Sequence, residues 1–310
     1  MDPNSKEPVL FLLGPTASGK TDLALPLAEA LDAEILSLDS MAVYKRMDIG
    51  TAKPGPEDRA RIPHHLVDLV EPWESFDAAR YRKEALRVVR EVRKRGKKVL
   101  FVGGTPFYFQ VLTKGLFSGP GADPELRRRL LEEEEARGEG TLHARLKERD
   151  PLAAERIHPR DLKRLVRALE VLELSGRPLS SLQREWARKE PALPFRAAGI
   201  QRKPEILKDR IARRTRSMLE RGLLEETRSI LEAGGFSRQA SAALGYHQVL
   251  AHLEGKIPRE ALEEEIRRGT WKFVRKQRTW FRKFHHVRWF DPDEISDPLS
   301  AFLEALRQDR

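Results

Sequence analysis

Gly14-Pro15-Thr16-Ala17-Ser18-Gly19-Lys20-Thr21 reads GPTASGKT and satisfies every fixed position of the phosphate-binding loop pattern G-x-x-x-x-G-K-[ST]. The stretch before it, VLFLL at 9–13, is the short unbroken apolar run of a buried parallel strand. After it, Leu23, Leu27, Ala30 and Leu31 recur at helical spacing. A strand, a glycine turn and a helix N-terminus together form an anion site, because backbone N–H groups and the positive end of the helix dipole face the ligand. Lys20 adds a point charge, and the Thr21 hydroxyl is a candidate Mg²⁺ ligand. Both flanks fit, which disfavours a glycine turn without a ligand. The loop predicts a bound di- or triphosphate and does not distinguish between them.

Composition narrows the partner. The chain has 310 residues and no cysteine, so it accommodates one large or two modest domains, and disulfides and thiolate metal sites are excluded. No apolar stretch approaches membrane-spanning length, and MDPNSKEP is no signal peptide; a cytoplasmic protein is expected. The formal net charge is +10, a surplus that favours a polyanionic partner. That surplus is localised. Residues 256–290 hold eleven Lys/Arg and four Glu, and all four acids lie at or before Glu265. On a helical wheel Ile266, Phe273, Gln277, Phe281 and Phe284 share one side, and Arg268, Lys272, Arg275, Lys276, Arg282 and Lys283 cover the other. Solvated faces usually mix both signs, so a nucleic-acid backbone is favoured over an inert surface or a membrane. Trp271 falls near the basic side, where base stacking and partial burial are both open.

Strand signals at 34–39 and 98–102 alternate with helical patterns at 76–95 and 106–114, which predicts an α/β fold: a phosphate-loop parallel sheet flanked by helices. From 119 to 194 no strand signal appears. Charged helical stretches at 123–136, 141–149, 161–174 and 179–189 are separated by Gly, Pro and Asp, so an all-helical insertion domain at 119–194 is expected within a core of 1–118 and 195–310. A strand signal returns at 195–200, and a last one is possible at 286–290. The acidic run 132–135 is read as a solvated face answering Arg127–Arg129. The 98–102 strand ends in Gly103-Gly104-Thr105 without a carboxylate, and the early strand-end acid is Asp39. Ligand groups in open α/β sheets lie beyond the carboxyl ends of strands, so Asp39 and Thr105 point toward the loop's ligand. A catalytic acid, a helix cap and a Mg²⁺-associated acid are all open for Asp39. His64-His65 and His285-His286 lack a third ligand at metal spacing and are read as structural.

Several further segments converge on one family. LDSMAVYKRMDIGTAKP (38–54), PHHLVDLVEP (63–72), VGGTPFYFQVLTKGL (102–116), DPLAAERIHPRDLKRLVRALEV (150–171), ALGYHQVLAHLEG (243–255) and RKQRTWFRK (275–283) resemble the tRNA dimethylallyltransferases, nearly end to end and in the family's order. The resemblance implies transfer of a dimethylallyl group from dimethylallyl diphosphate to N6 of the adenosine beside the tRNA anticodon, with Mg²⁺. No phosphorus is attacked, which accounts for the missing acid on the 98–102 strand. It further implies Asp39 as general base, Thr105 beside it, and Arg214 or its neighbour Arg213 on the diphosphate. tRNA contacts are implied for Asp39, Ser40, Met41, Ala42, Thr105 and Arg127. The same holds for Lys163, Arg164, Leu165, Val166 and Arg167, then Ala242, Gly245, Tyr246 and His247, while Lys272, Arg275 and Lys276 are expected on the tRNA backbone from the basic helix face itself. Lys163 stands where the family has glutamine, which leaves a phosphate contact there. A monomer acting on the anticodon stem-loop is expected. A phosphate-loop kinase leaves the basic helix unexplained, and a non-catalytic RNA-binding ATPase leaves Asp39 and Thr105 without a task.

Overall fold

The VLFLL run forms β1 (Val9–Leu13) with all five residues buried, as required of a strand covered on both faces. The computed structural model describes residues 7–116, 119–187 and 193–308. In chain order β1 is followed by α1 (Lys20–Leu31), β2 (Ala33–Ser37), α2 (Pro56–Arg61), β3 (His64–His65), α3 (Ala78–Lys94), β4 (Lys98–Gly103) and α4 (Pro106–Lys114). Five helices come next: α5 (Pro124–Arg137), α6 (Thr141–Arg149), α7 (Pro151–Arg156), α8 (Leu162–Ser175) and α9 (Leu179–Ala187). The chain then continues through β5 (Phe195–Ile200), α10 (Pro204–Glu220), α11 (Leu223–Ala233), α12 (Tyr246–Leu253), α13 (Leu262–Phe281), β6 (Arg288–Phe290) and α14 (Pro298–Arg307). Contacts divide it into two compact units, residues 1–113 with 193–310, and residues 114–192.

In the first unit six strands run in the order β3-β2-β4-β1-β5-β6, every pair parallel. β1 lies between β4 and β5, with Phe11 opposite Phe101 and Ala197. Side chains alternate across the sheet. Phe11 and Leu13 join one core with Val88, Val92, Phe109, Ile266 and Phe281, while Leu10 and Leu12 join the other with Leu27, Leu31, Phe302 and Leu306. The carboxyl ends of β1, β2, β4 and β5 therefore open on one edge, where the phosphate loop lies. Boundaries differ from expectation at a few points. β2 ends at Ser37, so Asp39 lies beyond the strand, and the 286–290 signal shortens to β6. β3 is an unexpected edge strand in which His65 Nε2 meets the buried Glu34 at 2.5 Å. The last two positions of the 179–189 helix lie outside the described residues.

The second unit surrounds its own core of Leu130, Leu142, Leu146, Leu165 and Leu169. Buried acids organise it. Glu134 accepts from the backbone N–H groups of Gly140 (2.7 Å) and Leu142 (2.8 Å), and Asp150 accepts from Ala153 and Ser180. Glu170, fully buried, accepts from Arg127 Nε at 2.7 Å and Nη2 at 2.8 Å, from Arg167 Nη1 at 2.5 Å, and from Asp123 N–H at 2.8 Å. The acidic run is thus only partly a solvated face. Arg128 answers Glu132 as expected, but Glu134 points inward and Arg127 serves Glu170.

Candidate active site

The phosphate loop joins β1 to α1 through two left-handed residues, Ala17 (φ 64°) and Gly19 (φ 92°). A Cβ on Gly14 would lie 2.6 Å from Ser18 Oγ and 3.0 Å from Ile200 O, so a side chain there would force the loop or its neighbours to shift. Three loop carbonyls are held by cations: Lys20 Nζ donates to Pro15 O (2.9 Å), Arg210 Nε to Ala17 O (2.8 Å) and Arg202 Nε to Ser18 O (2.8 Å). With these oxygens engaged, the amides at the start of α1 are the groups the loop offers an anion. The Ser18 hydroxyl is buried without a partner. Burial pulls the Lys20 ammonium down to about 8, Asp39 holds it up, and the Arg214 charge presses it lower.

The exits of β2 and β4 are tied together beside this loop. A Cβ on Gly103 would come within 2.3 Å of Leu38 O, so the tight exit requires glycine. Thr105 N–H donates to Leu38 O at 3.2 Å, and Thr105 Oγ1 accepts from Ser40 N–H at 3.2 Å. Asp39 Oδ1 accepts from Met41 N–H at 2.8 Å, which makes it the hinge of a turn and not a helix cap. Two cavities meet here. One of about 370 Å³ is lined by the loop from Thr16 to Thr21, with Gly103, Gly104 and Ala42. The other, about 870 Å³, is lined by Ser40, Met41, Thr105 and the flank of α13. Thr16, Asp39, Thr51 and Arg214 line both. Asp39 therefore faces an anion cradle on one side and a large chamber with a basic wall on the other.

Arg214 Nη2 donates to Thr51 O at 3.3 Å, and its guanidinium is pulled below its usual value by burial, against the attraction of Asp39. Arg213 touches the smaller cavity but is largely exposed and pairs with Asp209 at 2.7 Å. Ala242, His247, Lys272 and Lys276 line the large cavity; Arg275 is exposed on α13. Pro15 lies at the back of the loop, against a third cavity.

Other expected contacts are corrected. Tyr246 is fully buried: its hydroxyl donates to Glu226 and accepts from Gly50 N–H at 3.2 Å, which fixes the 48–50 loop, and Gly245 is buried with it. Leu165 and Val166 are core residues of the helical unit. In that segment Lys163 and Arg164 are exposed, while Arg167, like Arg127, is engaged by Glu170. Phe273, placed with the apolar face, is 40% exposed and lines the large cavity. Trp271 is half-buried against Leu207 and Ile211, with Lys208 Nζ 5.3 Å from its ring centre. The loop clamps Arg202, Arg210 and Gln277 were missed. Gln277 Oε1 accepts from Thr16 N–H at 2.9 Å, and Nε2 donates to Gly104 O at 2.6 Å. Arg202 follows the carboxyl end of β5, and Gln277 is a polar residue on an apolar helix face; both were usable signals.

Known proteins resemble this chain over nearly its whole length. Residues 42–284 match the family described as IPP transferase. A tRNA dimethylallyltransferase of Geobacter metallireducens is 43% identical over 98% of this chain and 99% of its own length. One from Thermotoga neapolitana is 43% identical over 94% and 95% respectively. Among solved structures, the tRNA isopentenylpyrophosphate transferase of Bacillus halodurans superposes with a TM-score of 0.70 at 34% identity, covering 96% of this chain and 94% of that one. A eukaryotic dimethylallyltransferase captured acting on tRNA gives a TM-score of 0.76 at 26% identity, covering 92% and 74%.

Proposed function

The chain belongs to the IPP transferase family, and from that premise we infer that it transfers a dimethylallyl group from dimethylallyl diphosphate to N6 of the adenosine next to a tRNA anticodon. The observation that carries the reading is the position of Asp39 on the wall common to the anion cradle and the basic-walled chamber. The diphosphate occupies the loop, held by its amides, Lys20 and Arg214. The adenine enters the large cavity, splayed from the anticodon loop, where little stacking is lost. Its N6 attacks C1 of the prenyl group, the C1–O bond breaks, and the electron pair leaves on diphosphate. Asp39 takes the N6 proton, a role for a positioned base within reach of the amine. Thr105 lines the adenine side and holds the Ser40 backbone that follows Asp39. Lys20 and Arg214 meet the charge that develops on the departing oxygens, an electrostatic contribution from groups fixed before the reaction.

Mg²⁺ fits this donor set as an ion carried with the substrate. No group of three or more His, Asp or Glu able to hold a metal occurs among the described residues, whereas the exposed Thr21 opens on the diphosphate cavity. Mg²⁺ commonly takes one or two protein oxygens and completes its shell with phosphate oxygens and water. When bound it would neutralise part of the leaving-group charge. The basic face of α13 with Lys272, Arg275 and Lys276 is assigned to the tRNA backbone, and the exposed Lys163 and Arg164 offer further phosphate contacts. No described helix is long and apolar enough to cross a membrane. The test is incubation with dimethylallyl diphosphate, Mg²⁺ and an unmodified anticodon stem-loop, followed by nucleoside mass analysis. Dimethylallyl adenosine equimolar with released diphosphate is expected. Phosphate transfer from ATP, with no prenylated nucleoside, would refute the assignment.

A further inference from the structure

Gln277 lies in the buried face of α13 between Thr270, Val274 and Phe281, and is 4% exposed. Its amide is the longest-range link at the site, reaching Thr16 N–H across 261 positions and Gly104 O across 173. Thr16 belongs to the phosphate loop, and Gly104 precedes Thr105, whose hydroxyl holds Ser40. One side chain thus secures both the diphosphate cradle and the turn on the adenine side. A buried amide is costly unless both its ends are bonded, and here both are. The opposite side of the same helix is electrostatically incomplete. Arg267 and Arg268 pair with Glu264 and Glu265, but Lys272, Arg275 and Lys276 have no ion pair among the described residues. α13 therefore carries unmatched cations outside and, within two turns of them, the amide that holds the loop.

We propose that Gln277 is a positioning residue that makes the two substrate sites interdependent. RNA phosphates on Lys272, Arg275 and Lys276 fix α13. Through Gln277 this fixes the Thr16 amide and the Gly104 turn, so diphosphate binds more tightly once RNA is bound. By linkage, diphosphate tightens RNA binding by the same factor. The proposal rests on the tRNA reading above.

Calorimetric titration with inorganic diphosphate and Mg²⁺, with and without a saturating anticodon stem-loop RNA, tests it. In the parent the RNA should strengthen diphosphate binding by at least about five-fold, within the usual range of coupling between sites. Gln277→Met and Gln277→Asn, the second keeping an amide too short to span both contacts, should reduce the factor below about two-fold. A glutamine that merely stabilises the fold would lower the melting temperature and leave the coupling in place. Absence of coupling in the parent, which needs no variant, overturns the proposal, as does full coupling in either folded variant. Failure of the protein to bind RNA or to prenylate it would instead condemn the tRNA reading. Binding and prenylation with uncoupled affinities would sink only the role of Gln277.

Discussion

Lys20 shows most directly how a single residue serves function against stability. Its folded value of about 8 lies below the ordinary 10.5 because burial penalises the charged form. Below pH 8 the ammonium is charged in both folded and unfolded chains, and the folded one bears a cost on the order of 2–3 kcal/mol. Between pH 8 and 10.5 the unfolded chain binds more protons, so this cost is relieved as pH rises. Lys20→Met should therefore stabilise the ligand-free protein at pH 7 by about 1–3 kcal/mol in denaturant titration, with diphosphate binding lost. The same shift couples binding to protons. Bound diphosphate restores the lysine's charge, so affinity should fall above pH 8, and calorimetry in two buffers of different ionisation enthalpy should register proton uptake on binding. Asp39 is tested separately. Asp39→Asn preserves shape but cannot take a proton, and kcat should fall about 10²–10⁴-fold with RNA and diphosphate affinities retained. Near-normal turnover by that variant would remove Asp39 as the base.

At the scale of elements, the sequence is most legible where one force decides. β1, α4, α6 and β5 occur where the apolar runs and helical periods place them, because burial and period are local properties of the chain. The phosphate loop is equally legible, since its two left-handed residues and its glycines are written in eight consecutive letters. What pairs across the fold is not. Phe273 is nearly in phase with Ile266 on an ideal wheel, yet the buried stripe centres on Ile266, Thr270, Val274, Gln277 and Phe281, and a small rotation puts Phe273 at its edge. Nothing within α13 reveals that Gln277 has a partner 261 positions away. Two-residue β3 lies below any period, and beside its pairing with β2 Glu34 reaches both Arg95 and His65. The basic face of α13 makes its own prediction. For a Lys272→Ala/Arg275→Ala/Lys276→Ala variant, the log–log slope of tRNA affinity against salt should flatten by about two to three units, with near-parent turnover of a stem-loop at saturation. Equal slopes would mean that the face is only solvated.

Over the whole molecule, two compact units divide the chain, and Glu170 is the charge on which the smaller one depends. Burial alone would raise its value, but hydrogen bonds from Arg127 and Arg167 and the Asp123 amide bring it down to about 2. Its contribution is complete above about pH 4.5 and is lost as pH falls toward 2. Glu170→Gln should cost on the order of 2 kcal/mol at pH 7, with the gap to the parent closing in acid. Faster hydrogen exchange should appear in α5 and α8 but not in β1 or β4. An equal rise across both units would show that they open together. The strand order also has a consequence for synthesis. β1 leaves the ribosome well before its neighbour β5, which follows only after the entire helical unit, and the loop's clamps Arg202, Arg210 and Gln277 come later still. A sheet whose central strand waits that long for its second partner forms slowly, because distant pairings must close long loops first. The helical unit, whose partners are near in sequence, can fold while β5 is still being made. The nascent chain thus carries a complete phosphate-loop sequence long before it has a phosphate site, and it gains its affinity for substrate only once α13 has been made.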